Sequence, residues 1–264
     1  MFEKERFVDM YPISLCIIAR NASNLLENCL RNVRGISDEI IILDTGSSDN
    51  TPQKAREMGA KVIEYHWRMD FADARNTAMD ASTNDWLLWI DTDEYYPAEL
   101  IEEIKKSLSN RNCSGYRIPR KNYFFGSWLK HGGNYPDYQM KLFRKSSAER
   151  FRGRVHESIK IKGAIGKLKN PCEHLSYPSV DSYLRKFGEY SSIQALMMHE
   201  NGMRVNVVNS INYLLVKPLF RFIRRYIFKG GFRDGYPGLL ACLFDFCGYI
   251  VRYAKLWEIN KQKH

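Results

Sequence analysis

The chain has 264 residues, 44% of them hydrophobic and 13% aromatic, enough to bury a sizeable core as one large α/β domain or as one domain with a smaller appendage. It has no low-complexity tract, long linker or internal repeat, which excludes a disordered or repeat protein. Forty Lys and Arg against thirty Asp and Glu give a net charge of +10, which favours polyanionic neighbours: nucleic acid, an anionic membrane face or phosphate-bearing substrates. The excess lies in the C-terminal half, whereas residues 1–110 are rich in carboxylates.

The six cysteines are scattered, with no CxxC pair and no His at zinc-ligand spacing, so they read as reduced thiols of a cytosolic protein. The opening MFEKERFVDMYPIS lacks the apolar run of a signal peptide, and nowhere do 18 apolar residues run together. The expected location is therefore cytoplasmic.

In chain order, Ile13 to Ala19 (ISLCIIA) predicts a strand buried on both faces. Asn24 to Val33 follows with apolar residues at helical spacing, and Glu39 to Asp44 (EIIILD) is the second strand. After the loop Thr45 to Asn50, Thr51 is placed to cap a helix with Pro52 at its first position and Gly59 past its end. Lys61 to His66 is the third strand, Asp70 to Ala81 a helix, and Trp86 to Ile90 (WLLWI) the fourth strand, running into Asp91. Pro97 opens a further helix, ELIEEIKKSL. This alternation is that of a parallel, Rossmann-like half, whose ligands bind at the carboxyl ends of the strands. From Gly115 shorter strands (GYRIPRKNYF, YQMKLFRK) and Gly turns predict a mixed second half. After Asp181 the chain reads as helical and basic, with breaks at Lys229 to Phe232 and Gly235 to Gly238.

Asp91, Asp93 and Glu94 stand where a buried strand opens into a loop, and such hard oxygen ligands suit Mg²⁺ or Mn²⁺ bridging the phosphates of a nucleotide. The alternative is a polar cluster at a helix start. Asp44 ends a second buried strand on the same sheet edge; its carboxylate can accept from a base or ribose, or cap the turn before Gly46. Arg75, near a helix start, can reach phosphate or form a surface ion pair.

The runs ISLCIIARNASNLLENCL, IIILDTGSSDNT and FADARNTAMDASTNDWLLWIDTDE resemble, in order and spacing, the N-terminal half of family-two glycosyltransferases of GT-A fold, and are most similar to bacterial enzymes of the lipopolysaccharide-core and cell-surface glucosyltransferase type. The resemblance implies an α/β GT-A catalytic domain over 1–180, with a nucleotide-sugar-binding half (1–110) and an acceptor half (111–180), followed by a helical basic region (181–264). It implies that Ala19 and Arg20 border the nucleotide, that Asp44 contacts the base, Arg75 the nucleotide, Asp91 the ribose or metal, and Asp93 the metal and diphosphate. It further implies inversion, a UDP-sugar donor, and a carboxylate that deprotonates the acceptor hydroxyl. Asp137, after the Gly132-Gly133 pair, is one candidate base and Glu157 the other. His156 is a candidate for the His that approaches the metal, against a purely structural role. No QxxRW signature is present, which points away from a processive synthase.

Trp128, Tyr135 and Tyr138 can stack on sugar rings or serve the core. Leu214 to Phe228 (LLVKPLFRFIRRYIF) mixes cations with large apolar residues, as suits a helix in the plane of an anionic membrane face, or one packed on the catalytic domain or a dimer partner. A glycan or lipid-linked acceptor and peripheral contact with the cytoplasmic membrane face are the matching expectations. Two other readings rank lower. A nucleotidyltransferase would carry a Gly-rich phosphate loop where this chain has Ala19-Arg20-Asn21-Ala22-Ser23-Asn24. A nucleic-acid-binding protein would be repelled by the carboxylates at 44, 91 and 93.

Overall fold

The computed structural model describes residues 11–33, 35–155 and 157–261. Its first part alternates β1 (Ile13–Ala19), α1 (Ser23–Asn32), β2 (Glu39–Asp44), α2 (Thr51–Glu57), β3 (Lys61–Glu64), α3 (Phe71–Ala81) and β4 (Trp86–Trp89). The four strands pair in parallel in the order β3-β2-β1-β4. Side chains alternate across a strand, and the apolar runs of β1 and β4 therefore supply two cores. Ile13, Leu15, Ile17, Trp86, Leu88 and Ile90 face one layer, with Leu26 and Leu30 of α1 and Ala55 of α2. Cys16, Leu87 and Trp89 face the other, with Ala74, Ala78 and Met79 of α3. Burial on both faces is what the near-continuous apolarity of these strands predicts.

Next come β5 (Glu94–Tyr95), α4 (Ala98–Leu108), β6 (Cys113–Phe124), β7 (Ser127–Trp128), β8 (Asp137–Arg144), β9 (Ala164–Lys167) and β10 (Cys172–Tyr177). β8 lies antiparallel to β4, and the sheet continues β8-β6-β10-β5, with β7 and β9 paired to β6. The mixed second half is therefore present. Two of its strands, β9 and β10, were not legible in the sequence.

Local details differ from the sequence expectation in three places. Thr51 is the first helical residue and Asn50 the cap position; the Thr51 hydroxyl instead accepts from Ala22 N at 2.8 Å and donates to Asp49 Oδ1 at 2.5 Å. β3 stops at Glu64, short of His66. The break expected over Gly235 to Gly238 is confined to Gly235 (φ 62°, ψ −143°), and Pro237 lies in the first turn of the long helix that follows, where a proline lacks no needed donor.

The chain forms two compact units. One runs to Arg120 and resumes over Tyr138–His174; the other comprises Lys121–Asp137 and Leu175 onward. The second unit holds α5 (Val180–Glu200), opened by a capping box in which Ser179 and Ser182 exchange side-chain and backbone bonds. A continuous helical stretch follows: α6 (Val207–Ile211), a π-helical segment (Asn212–Val216), α7 (Lys217–Ile223) and a second π-helical segment (Arg224–Phe228). After a short 3₁₀ turn (Gly231–Asp234), α8 (Gly235–Lys261) completes the unit. An aromatic core of Phe124, Phe125, Tyr177, Tyr183, Phe187 and Phe244 joins the 121–137 hairpin to α5 and α8. Gly238 is required by close approach: a Cβ there would lie 2.2 Å from the Gly231 carbonyl oxygen. Among the described residues, no helix is long and apolar enough to cross a membrane.

Candidate active site

The carboxyl ends of β1, β2 and β4 lie side by side in the first unit, with Ala19 paired in register to Asp44. The loops that leave β1 and β2 are tied together. Asn21 adopts a left-handed conformation (φ 49°), which Asn tolerates, and its N–H donates to Ser47 Oγ at 2.9 Å while its Oδ1 accepts from Ser48 N at 2.7 Å. Asp44 is buried, and both its oxygens accept from the following turn: Oδ1 from Ser47 Oγ (2.5 Å), Oδ2 from Gly46 N (3.3 Å) and Ser47 N (3.1 Å). It performs the turn-capping role. Arg20, next to buried Ala19, is exposed.

β4 delivers Asp91 and Glu94 into a network of cations. The Lys141 ammonium, on β8, sits 2.8 Å from a carboxylate oxygen of each. Arg120 of β6 approaches both at 3.9 and 3.8 Å, and Arg75 of α3 lies 3.5 Å from Asp91. Glu94 also accepts from Asp91 N at 3.1 Å, so its role as a helix-start carboxylate is replaced by one inside the cluster. Glu94 and Lys141 are only 3% and 4% exposed, which makes this a buried ion pair whose desolvation must be repaid by good geometry. Burial alone would raise the Asp91 pKa, but Lys141, then Arg75 and Arg120, outweigh it and hold this carboxyl well below the usual carboxylate range. Burial likewise opposes the Lys141 charge, and Asp91 and Glu94 override it, raising its pKa.

Arg75 is not a surface residue. Its guanidinium stacks over Trp89 (4.8 Å) and lies 5.7 Å from Phe151, and its Nε donates to Glu157 Oε1 at 2.6 Å. It therefore joins two of the candidate carboxylates, Glu157 and Asp91. The other candidate base, Asp137, belongs to the second unit, where Asn122 Nδ2 donates to it at 3.1 Å. His156 lies outside the described residues. Another histidine lies beside Asp93: His174 on β10, in register with Glu94 of β5, has Nε2 3.4 Å from Asp93 Oδ1.

Among the described residues no group of three or more His, Cys, Asp or Glu is arranged to hold a metal ion. The two donors Asp93 and His174 nevertheless fit a Mn²⁺ or Mg²⁺ ion that takes its remaining oxygens from substrate phosphates, the usual arrangement for such ions. Asp91 fits less well, because three cations already surround it.

Residues 14–169 match the family model described as glycosyl transferase family 2, which covers more than half of the chain. The chain belongs to the family-two glycosyltransferases. Its catalytic function is therefore glycosyl transfer. This glycosyltransferase is 26% identical over 263 residues to an uncharacterized glycosyltransferase of Rickettsia typhi, covering 95% of this chain and 88% of that protein. It is also 36% identical over 151 residues to a TPR repeat-containing protein of Synechococcus elongatus, which is 57% of this chain and 36% of the relative, so it spans about a third of that protein's length. A mannosyltransferase from Pyrobaculum calidifontis, solved with GDP-Man and Mn²⁺, superposes with a TM-score of 0.55 over 95% of this chain and 88% of its own, at 12% identity. The fold is thus GT-A, an α/β catalytic fold with a helical C-terminal region.

Sequence reasoning missed Lys141, Arg120 and His174. For Lys141 there was a signal: a cation between the apolar residues of MKLF is a buried charge in search of a partner. For His174 there was little, because CEHLSY does not read as a strand.

Proposed function

We propose that this glycosyltransferase is metal-dependent and moves a hexose, with inversion, from a UDP-sugar to a hydroxyl of a cell-envelope glycan or glycolipid. The observation that carries the reading is the Asp93 and His174 pair standing beside the Asp91–Lys141–Arg75 cluster at the sheet's carboxyl edge. A Mn²⁺ or Mg²⁺ ion held by Asp93 and His174 would neutralise charge on the leaving diphosphate. Ala19, Arg20 and Asp44 border the base side of the donor; Asp91, kept ionised by its cations, accepts from the ribose; Arg75 fixes Asp91 and faces the nucleotide. The base is one of the two candidate carboxylates, Asp137 or Glu157, the latter held by Arg75 at 2.6 Å: it takes the acceptor hydroxyl's proton as that oxygen attacks the anomeric carbon and the nucleoside diphosphate departs. The basic C-terminal region makes peripheral contact with an anionic membrane, where such an acceptor would be found.

The test is a donor screen. Nucleoside diphosphate release is measured from UDP-, GDP- and ADP-sugars with and without Mn²⁺ or Mg²⁺, for the wild type and Asp93→Ala. Turnover with a UDP-sugar that needs metal and collapses in the variant is expected. Metal-independent turnover untouched by the substitution would refute the mechanism.

A further inference from the structure

The helical unit bears an open pocket of about 520 Å³, within the size range of sites that receive small molecules. Its wall brings together Lys217, Arg221, Arg224 and Arg252 with Phe220 and Tyr249, and α5 contributes methionine and amide side chains. Of the four cations only Arg221 has a carboxylate, Asp245 at 2.6 Å, and it shares that group with Arg225 at 2.9 Å. Lys217 rests on the Tyr213 ring (3.8 Å) and Arg252 on Tyr249 (4.1 Å). Neither of these two, nor Arg224, is ion-paired to a carboxylate among the described residues. Four cations that share the single nearby carboxylate of Asp245 leave this pocket with an excess of positive charge, complementary to a compact anion.

The helical stretch that carries three of these cations turns a second, different face to solvent. Val208, Ile211, Leu215, Leu219, Ile227 and Phe228 are all more than half exposed, Phe228 at 81%. Steps of three and four residues place the first four on one stripe, as in helices that lie in a bilayer interface. Phe220, itself 67% exposed, belongs both to the cavity wall and to the apolar surface. Hydrocarbon beside the stripe and phosphate in the cavity describe a single kind of ligand.

We propose that this cavity receives the phosphate of an anionic glycerophospholipid while the apolar face of residues 207–228 lies in the bilayer interface. The assignment rests on the peripheral membrane contact proposed above and gives that contact a specific binding site. It is independent of donor chemistry.

The full chain is floated with vesicles of phosphatidylcholine alone and of phosphatidylcholine with phosphatidylglycerol. Three proteins are compared: the wild type, the cavity variant Lys217→Ala/Arg224→Ala/Arg252→Gln, and a control of equal charge loss, Arg185→Ala/Arg204→Ala/Lys261→Ala. Binding that requires phosphatidylglycerol is expected, weakened about fivefold per cavity cation removed, the scale of one basic residue at an anionic surface, and weakened much less in the control. Circular dichroism melts show whether each variant is folded, and the single exposed substitution Arg224→Ala, expected to cost about fivefold alone, covers a failure of the triple variant to fold. Equal loss in cavity and control variants would mean diffuse attraction and overturn the cavity assignment while leaving the membrane contact standing. A wild type indifferent to phosphatidylglycerol would overturn both. If inorganic phosphate raised the melting midpoint and soluble dihexanoyl phosphatidic acid did not displace the protein from vesicles, the cavity would be a free-phosphate site and the lipid assignment would fail.

Discussion

Lys141 pairs with two carboxylates at once, so its removal leaves Asp91 and buried Glu94 with only the more distant arginines. Lys141→Met is expected to lower stability by roughly 3–5 kcal/mol, the scale for breaking a buried ion pair, measured by urea unfolding; an unchanged midpoint would remove the cluster from the account. The Asp91 pKa is depressed in the folded state, so the stability it contributes is present above the ordinary carboxylate value of 3.8 and is lost as pH falls from there towards the lower folded value. Denaturant melts through that range should show the wild type losing stability steeply and Asp91→Asn losing less. At His174 the expected signature is kinetic: His174→Ala should raise the Mn²⁺ concentration for half-maximal turnover by about tenfold or more with its melting curve unmoved. What was legible at this scale was the acidic half of the site, because Asp91 and Asp93 follow an apolar strand. Of the cationic half only Arg75 was, because Arg120 and Lys141 arrive on two further strands and only the sheet order brings them to Asp91.

Among elements, the strands of the parallel half were read to within a residue or two, since burial on both faces leaves runs such as ISLCIIA and WLLW unbroken. β9 and β10 escaped because their pairing supplies what their sequences lack: β9 (AIGK) is mostly exposed and is held by its ladder to β6. Pro237 and Gly238 show the opposite error, turn-forming residues that open a helix. Here Gly238→Ala is the informative change, since its Cβ would meet the Gly231 carbonyl oxygen at 2.2 Å. A loss of about 1–3 kcal/mol is expected from such overpacking, and an unaltered thermal midpoint would show that the 3₁₀ turn yields freely. At the start of α3, Asp70 accepts from Asp73 N at 3.0 Å; Asp70→Ala should cost about 1 kcal/mol in the same assay.

At the level of the molecule, charge is divided by function. Residues after 174 carry thirteen Lys and Arg against six Asp and Glu, while Asp91, Asp93 and Glu94 gather at the candidate site of the first unit. The chain's class and its alternation were open to a reader of the sequence, and a helical C-terminal part was expected from 181; that residues 121–137 belong with that part was not, because they join α5 and α8 through aromatic contacts that no local pattern announces. The pairing of Asp91 and Glu94 with Lys141 has one more consequence. Small metal-dependent domains commonly use the ion as a structural rivet, and chelation unfolds them. Here the counter-ion is a side chain, bound covalently and always present, so the edge of the sheet is assembled before any divalent ion arrives. If the proposed metal dependence holds, chelator should silence turnover and leave the melting curve where it was, because the sheet edge keeps its own counter-ion.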